Sequence, residues 1–140
     1  MISNTRIIDF GAHIDAQYGS LVAIETNQDI PFDVRRVYYI YGVPEGETRG
    51  HHSHNELEQV LICVKGSVSL TVSVPGADET VLLDSPQKGL YIGPMVWRVM
   101  HNFSGDAVLL VLASEHFDEA DYIRDKGLYD ARALEYFEAP

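Results

Sequence analysis

Residues 67–74 alternate without a break: Ser67, Ser69, Thr71 and Ser73 are interleaved with Val68, Leu70, Val72 and Val74. A period of two is the mark of a β-strand with one buried face. Shorter runs of the same kind recur. Residues 6–10, 20–26, 34–41, 58–64, 79–83, 90–92, 96–100 and the continuous apolar stretch 107–113 read as strands. Gly- and Pro-containing turns separate them at 29–33, 42–47, 75–78, 85–89, 93–94 and 104–106, and Lys65-Gly66 reads as a hairpin-like turn. In residues 34–41 the alternation places Arg36 and Tyr38 on one face, with Arg35, Val37 and Tyr39 on the other. After residue 113 the period changes. Asp118-Glu119-Ala120-Asp121 predicts a short helix with acidic residues at its N-terminal end. Gly127 is its expected stop, and residues 129–137 form a further amphipathic turn or two. The acidic run 115–125 is expected to be a solvated helix face. This succession predicts an all-β barrel or sandwich with helix confined to the C-terminus, in one domain over residues 1–140.

Charge narrows the partners. A formal net charge of -11 opposes binding to nucleic acid and to anionic lipid. An anionic ligand must therefore find locally gathered cations, and Arg35, Arg36, Arg49, Lys65 and Arg98 stand nearest the polar centre of the sequence. No run is long and apolar enough to span a membrane. The first ten residues carry no apolar leader and Cys63 is the lone cysteine, which together predict a reducing, cytoplasmic setting. Cys63 reads as a small buried hydrophobe.

The polar centre is Arg49-Gly50-His51-His52-Ser53-His54. On a strand, His52 and His54 project to one face and His51 to the other. Arg49 and Gln59 flank the pair. Two adjacent imidazoles serve as half of a metal site, as a general acid and base, or as a polar surface patch. His13, His101 and His116 have no comparable setting.

The spacing of Gly46, His52, His54, Gln59 and Gly66 resembles the first motif of the cupin superfamily, in which Glu normally stands at the Gln59 position. The segment 89–102 resembles a degraded second motif, whose usual His falls near Val99. The resemblance implies a cupin jelly-roll barrel with inward-pointing ligands. Two imidazoles and a neutral amide make a weak divalent-cation site, so metal-free proton chemistry ranks above a metal-dependent dioxygenase using His52, His54 and His101. His101 is the candidate replacement ligand because it shares a strand face with Val99.

A finer resemblance is carried by Arg49-Gly50-x-His52-x-His54, Glu58-Gln59-Val60-Leu61, Cys63, Gly66-Ser67 and Gly89-Leu90-Tyr91-Ile92-x-Pro94-Met95-Val96-Trp97. Together these are similar to the nucleotide-sugar 3,4-ketoisomerases. That resemblance implies action on dTDP-4-keto-6-deoxy-D-glucose with no metal or other cofactor. It also implies a homodimer with exchanged N-terminal strands, and a role in making 3-amino-3,6-dideoxy sugars for surface glycans such as the O-antigen of lipopolysaccharide. In the family, product stereochemistry tracks two positions, here Tyr18 and Arg98. This combination resembles the gluco-forming branch, whereas galacto-forming members carry Arg and His.

Moving a ketone from carbon 4 to carbon 3 removes a proton from carbon 3 and delivers one to carbon 4 through an enediol. Imidazoles suit both steps. His54 is expected to act as base and His52 as acid, with the reverse assignment open. Arg49 is the expected oxyanion donor, and Tyr38 or Tyr39 a phenol donor. Arg36 and Arg98 are candidates for the pyrophosphate or sugar, Gln59 for substrate contact, and Tyr39 or Tyr91 for stacking or hydroxyl contacts. Tyr18 enters through the resemblance. Trp97 is divided between substrate contact and core packing.

Overall fold

The computed structural model describes residues 1–138. Twelve strands build two five-stranded antiparallel sheets and a small hairpin. The first sheet has the order β1 (Thr5–Asp9), β9 (Lys88–Ile92), β6 (Gln59–Lys65), β11 (Val108–Ala113), β4 (Arg36–Tyr41). The second has the order β12 (Tyr122–Ile123), β5 (Arg49–His54), β10 (Trp97–His101), β7 (Val68–Val74), β8 (Ala77–Leu83). β2 (Ala12–His13) and β3 (Leu21–Val22) pair only with each other, and a single helix, α1 (Lys126–Glu138), closes the described chain. This is the expected all-β jelly roll with helix at its C-terminus.

The alternation of β7 is realised as the sequence predicts. Val68, Leu70 and Val72 enter a core between the sheets with Leu61, Cys63, Leu83, Leu90, Ile92, Val96, Leu109 and Val111. Cys63 is fully buried there. The first sheet is covered on its other face too. Val60, Ile62 and Leu112 pack beneath Phe10, Ile30 and Phe32, which explains why β6 and β11 read as continuous apolar runs.

Three expectations fail locally. Residues 20–26 supply only the two-residue strand β3. Lys65-Gly66 is not a hairpin, because β6 and β7 belong to different sheets and the turn carries the chain across the barrel. Gly66 (φ 70°) is required there, since a Cβ would lie 2.2 Å from Ser104 Oγ. The third failure is the helix. Residues 119–121 form one 3-10 turn, and the helix starts at Lys126 with Gly127 inside its first turn. Asp125 decides this. Its Oδ1 accepts from the Leu128 N–H at 2.8 Å, an N-terminal cap that starts the helix ahead of Gly127 rather than letting the glycine end one. The helix then lies on the outer face of the second sheet, where Tyr129 and Ala133 pack against Met95, Trp97 and Ile123.

Candidate active site

β5 positions the site, and it does so through an irregularity. Arg98 pairs with His52 and Val99 with Gly50, so His51 is an extra residue bulged out of the ladder. Gly50 (φ 93°) and His51 (φ 54°) both take left-handed backbone conformations, and Thr48 Oγ1 holds the His51 ring at 2.8 Å on the outside. A Cβ on Gly50 would meet the Arg98 carbonyl oxygen at 2.9 Å. The bulge resets the side-chain parity. Arg49 pairs with Met100 and His52 with Arg98, and both partners face the barrel interior, so Arg49 and His52 point the same way although they are three residues apart. Simple alternation would have sent them to opposite faces.

Inside, His52 and His54 lie with ring centroids 4.9 Å apart and planes at 84°. His52 Nδ1 sits 3.0 Å from the Gly50 carbonyl oxygen. A carbonyl can only accept, so the proton is on Nδ1 and the lone pair on Nε2. His54 is 1% exposed, and neither of its ring nitrogens has a hydrogen-bond partner among the described residues. Asp121 Oδ2 stands 3.6 Å from Nδ1.

Beneath the pair is a buried polar chain. Arg98, fully buried, donates from Nη1 to Gln59 Oε1 at 2.5 Å and from Nη2 to the Val96 carbonyl at 3.0 Å. Gln59 Nε2 donates to the Tyr38 hydroxyl oxygen at 3.0 Å. Burial lowers the Arg98 guanidinium to about 10, which leaves it charged at neutral pH. Burial first, and then this guanidinium, push His52 down to about 4. The same two causes in the same order push His54 far below its ordinary value. Both imidazoles are therefore neutral at pH 7, and the His54–Asp121 contact is a carboxylate beside a neutral ring rather than an ion pair. Burial also raises the Tyr38 phenol, so it remains a proton donor.

Tyr122 roofs the pair. Its ring centroid is 4.3 Å from that of His54 and 5.0 Å from that of His52. Arg124 lies 4.2 Å over the same ring and is held by both oxygens of Glu119. Two cavities open beside this roof. One, of about 410 Å³, is bordered by Arg36, His54, Phe117 and Asp121. The other, of about 190 Å³, is bordered by Tyr38, Arg49, His52 and Arg124. Tyr122 lines both.

The structure thus gathers Arg36, Tyr38, Arg49, His52, His54, Gln59 and Arg98 at one mouth of the barrel. It separates the other candidates. Trp97 faces outward and packs on Tyr129 with centroids 5.3 Å apart; it is core beneath α1. Tyr39 projects outward from β4 and is exposed. Tyr91 is on the outer face of the first sheet, donating to Glu58 Oε1 at 2.6 Å under Arg6. Tyr18, exposed on the β2–β3 connection, borders neither cavity. Arg98 is sealed from solvent and cannot meet a pyrophosphate directly.

Sequence reasoning missed Asp121, Tyr122 and Arg124. The run expected to be a solvated helix face is instead a strap paired to β5, with Tyr122 opposite His54. The Tyr-x-Arg alternation at 122–124 was the available signal, but acidic residues around it obscured a two-residue strand.

A divalent cation does not fit these residues. His101 bonds Thr71 Oγ1 at 2.8 Å on the outer face of β10, so it cannot join the His pair. The inward residue of β10 that meets Gln59 is a guanidinium, which repels a cation. No group of three or more His, Cys, Asp or Glu residues is arranged for a metal among the described residues.

Against known proteins, the family model described as FdtA: WxcM-like, C-terminal matches residues 3–133. The chain belongs to this family. A TDP-4-oxo-6-deoxy-alpha-D-glucose-3,4-oxoisomerase from Aneurinibacillus thermoaerophilus is 50% identical over 119 residues, 85% of each protein. The 3,4-ketoisomerase QdtA from Thermoanaerobacterium thermosaccharolyticum, solved as a histidine-to-asparagine variant with TDP-4-keto-6-deoxyglucose, superposes with a TM-score of 0.96 at 48% identity over 99% of both chains. The TDP-quinovose 3,4-ketoisomerase WlaRB from Campylobacter jejuni gives 0.88 at 43% identity over 93% of this chain and 99% of that one.

Proposed function

We propose that the protein is a TDP-4-keto-6-deoxy-D-glucose 3,4-ketoisomerase working by proton transfer. The observation that carries the reading is the neutral His52/His54 pair above a buried Arg98, in a chain whose family relatives are named for this reaction. His54 Nε2 takes the proton from carbon 3. The electrons move into a carbon 3–carbon 4 double bond, and the carbon 4 oxygen becomes an enediolate oxygen. His52, protonated once the anionic nucleotide is bound, delivers a proton to carbon 4. The hydroxyl proton on the carbon 3 oxygen passes to the carbon 4 oxygen, which leaves the ketone at carbon 3. Proton exchange between the two imidazoles resets the pair.

Burial, and after it the Arg98 charge, hold both imidazoles neutral until substrate arrives. Before substrate binds, Arg98 opposes any further positive charge. As negative charge develops on the enediolate, Arg98 becomes an attractive partner and protonation of His54 becomes easier. This is stabilisation specific to the transition state. Tyr38 contributes a directed donor. Its oxygen already accepts from Gln59, so its own O–H is free for the substrate oxygens. Arg49 and Arg124 at one cavity, and Arg36 at the other, are the cations available to the diphosphate despite the net charge of -11.

Tyr18 and Arg98 support a gluco product, dTDP-3-keto-6-deoxy-D-glucose, over the galacto epimer. A homodimer with exchanged N-terminal strands accounts for the exposed apolar residues Ile14, Tyr18, Leu21, Val37 and Tyr39, and a partner copy is what would bring Tyr18 to a site. The reading places the enzyme in the cytoplasm, in the making of 3-amino-3,6-dideoxy sugars for glycans such as an O-antigen. The test is an NMR time course with the substrate in deuterium oxide and EDTA. A 3-keto product carrying deuterium at carbon 4 is the expected result, with the coupling between protons 4 and 5 in residual protonated product reporting its configuration. Unchanged substrate would overturn the reading.

A further inference from the structure

We propose that Asp121 is the positioning residue for the His54 imidazole, a role that rests on the ketoisomerase reading for its catalytic meaning but not for its geometry. Its Oδ2 accepts from Nδ1–H, fixes the tautomer that leaves the lone pair on Nε2, and stabilises the imidazolium once Nε2 has taken the carbon 3 proton.

His54 is itself in need of such a partner. A neutral imidazole must keep one N–H and one lone pair, and both nitrogens here are buried without a partner among the described residues. A buried polar atom left in that state is costly. Asp121 Oδ2 is 3.6 Å from Nδ1, a few tenths of an ångström beyond a hydrogen bond. Such bonds tighten when a substrate closes the site.

Asp121 is also fixed in place. Its Oδ1 accepts from the Glu56 N–H at 3.0 Å and its Oδ2 from the Leu57 N–H at 3.1 Å. Its backbone carbonyl accepts from the Asn55 N–H at 3.0 Å. The residue after it, Tyr122, is in register with His54. The carboxylate therefore cannot turn to solvent without releasing two backbone donors, and it stays beside the end of β5.

The two imidazoles are thereby made different. His52 is backed by a neutral carbonyl, Gly50. His54 is backed by a carboxylate. Protonation of the carboxylate-backed ring gains a full charge–charge interaction inside a low-dielectric site. This assigns the base role to His54 and the acid role to His52, an asymmetry that the His-x-His sequence does not contain.

Holding the 56–57 turn is the structural role Asp121 could have alone, so the test must separate the two. Asp121→Asn keeps the size and one oxygen acceptor. The expected result is a kcat reduced about 100-fold or more with KM within about 3-fold. The ¹⁵N shifts of His54 should also lose the Nδ1–H tautomer preference, a readout independent of turnover. In a His54→Asn background, Asp121→Asn should add less than about 3-fold, because the residue acts through His54. Asp121→Glu, which retains the charge, should recover part of the activity and serves if the amide variant folds poorly. An unchanged His54 tautomer together with full additivity would overturn the proposal. Loss of turnover in the wild type with the tautomer effect intact would remove the ketoisomerase reading and leave the pairing standing.

Discussion

Arg98 and Gln59 meet in the interior of the barrel, where a guanidinium with no solvent exposure donates to the amide oxygen at 2.5 Å. The contact fixes the orientation of the amide. With Oε1 taken by Arg98, Nε2 is left to donate to Tyr38, and Tyr38 is left to donate to whatever lies above it. A carboxylate at this position would accept from both neighbours and consume the phenol proton. The amide that departs from the cupin pattern is therefore what turns a ligand position into a relay of donors.

Gln59→Glu should consequently lower kcat by about 10-fold or more without lowering the unfolding midpoint, because it loses a directed donor while neutralising a buried charge. Steady-state kinetics and thermal unfolding on the same preparation check both halves. Retained kcat would show that Tyr38 does not need its proton directed.

The two neighbouring tyrosines provide a sharper comparison. Tyr38→Phe should cost about 100-fold in kcat, comparable to removal of one oxyanion donor. Tyr39→Phe should change kcat by less than about 2-fold, since it faces outward and keeps its ring. Equal losses in both variants would mean that the inward placement of Tyr38 is not the reason for its importance.

How much of this was legible in the sequence follows from the range of each signal. Strand alternation is local, so β7 and the inward Arg36/Tyr38 face could be read directly. The His pair survived because both members lie on the regular side of the bulge. Arg49 is the instructive case. Its place beside His52 depends on an extra residue whose presence appears only in the pairing with β10. The strap 117–124 was illegible for a related reason. Two residues of strand carry no period, and Asp121 and Tyr122 become site residues only through register with β5. Trp97 was ambiguous until the parity of β10 was fixed by Arg98.

Gly50→Ala tests the bulge. The added methyl would meet the Arg98 carbonyl oxygen at 2.9 Å in a backbone with φ 93°. The expected cost is about 2–3 kcal/mol of stability, with a further fall in kcat because His52 loses its Gly50 carbonyl partner. Gly76→Ala is the control, since Gly76 has φ 80° but open space around its Cβ position. It should cost only about 1 kcal/mol and leave kcat unchanged. Chemical denaturation and turnover measured on both variants decide the matter. Identical losses would mean that backbone strain alone accounts for the glycine.

The buried pair also makes stability depend on pH. His52 takes its proton below about 6.5 in the unfolded chain, but only below about 4 in the folded protein. Between those values unfolding binds a proton, so stability falls as pH drops through the window and is insensitive to His52 above it. From pH 6.5 to 5 the loss from His52 is about 1.6 kcal/mol. His54, shifted in the same direction, adds to it. Unfolding free energy measured by denaturant at pH 7.5, 6 and 5 should decline in the wild type and decline less in His52→Gln. Carboxylates shared by the two proteins cancel in that comparison. Equal slopes in the variant and the wild type would show that His52 is not held neutral by the fold, and would remove the electrostatic basis for its role beside Arg98.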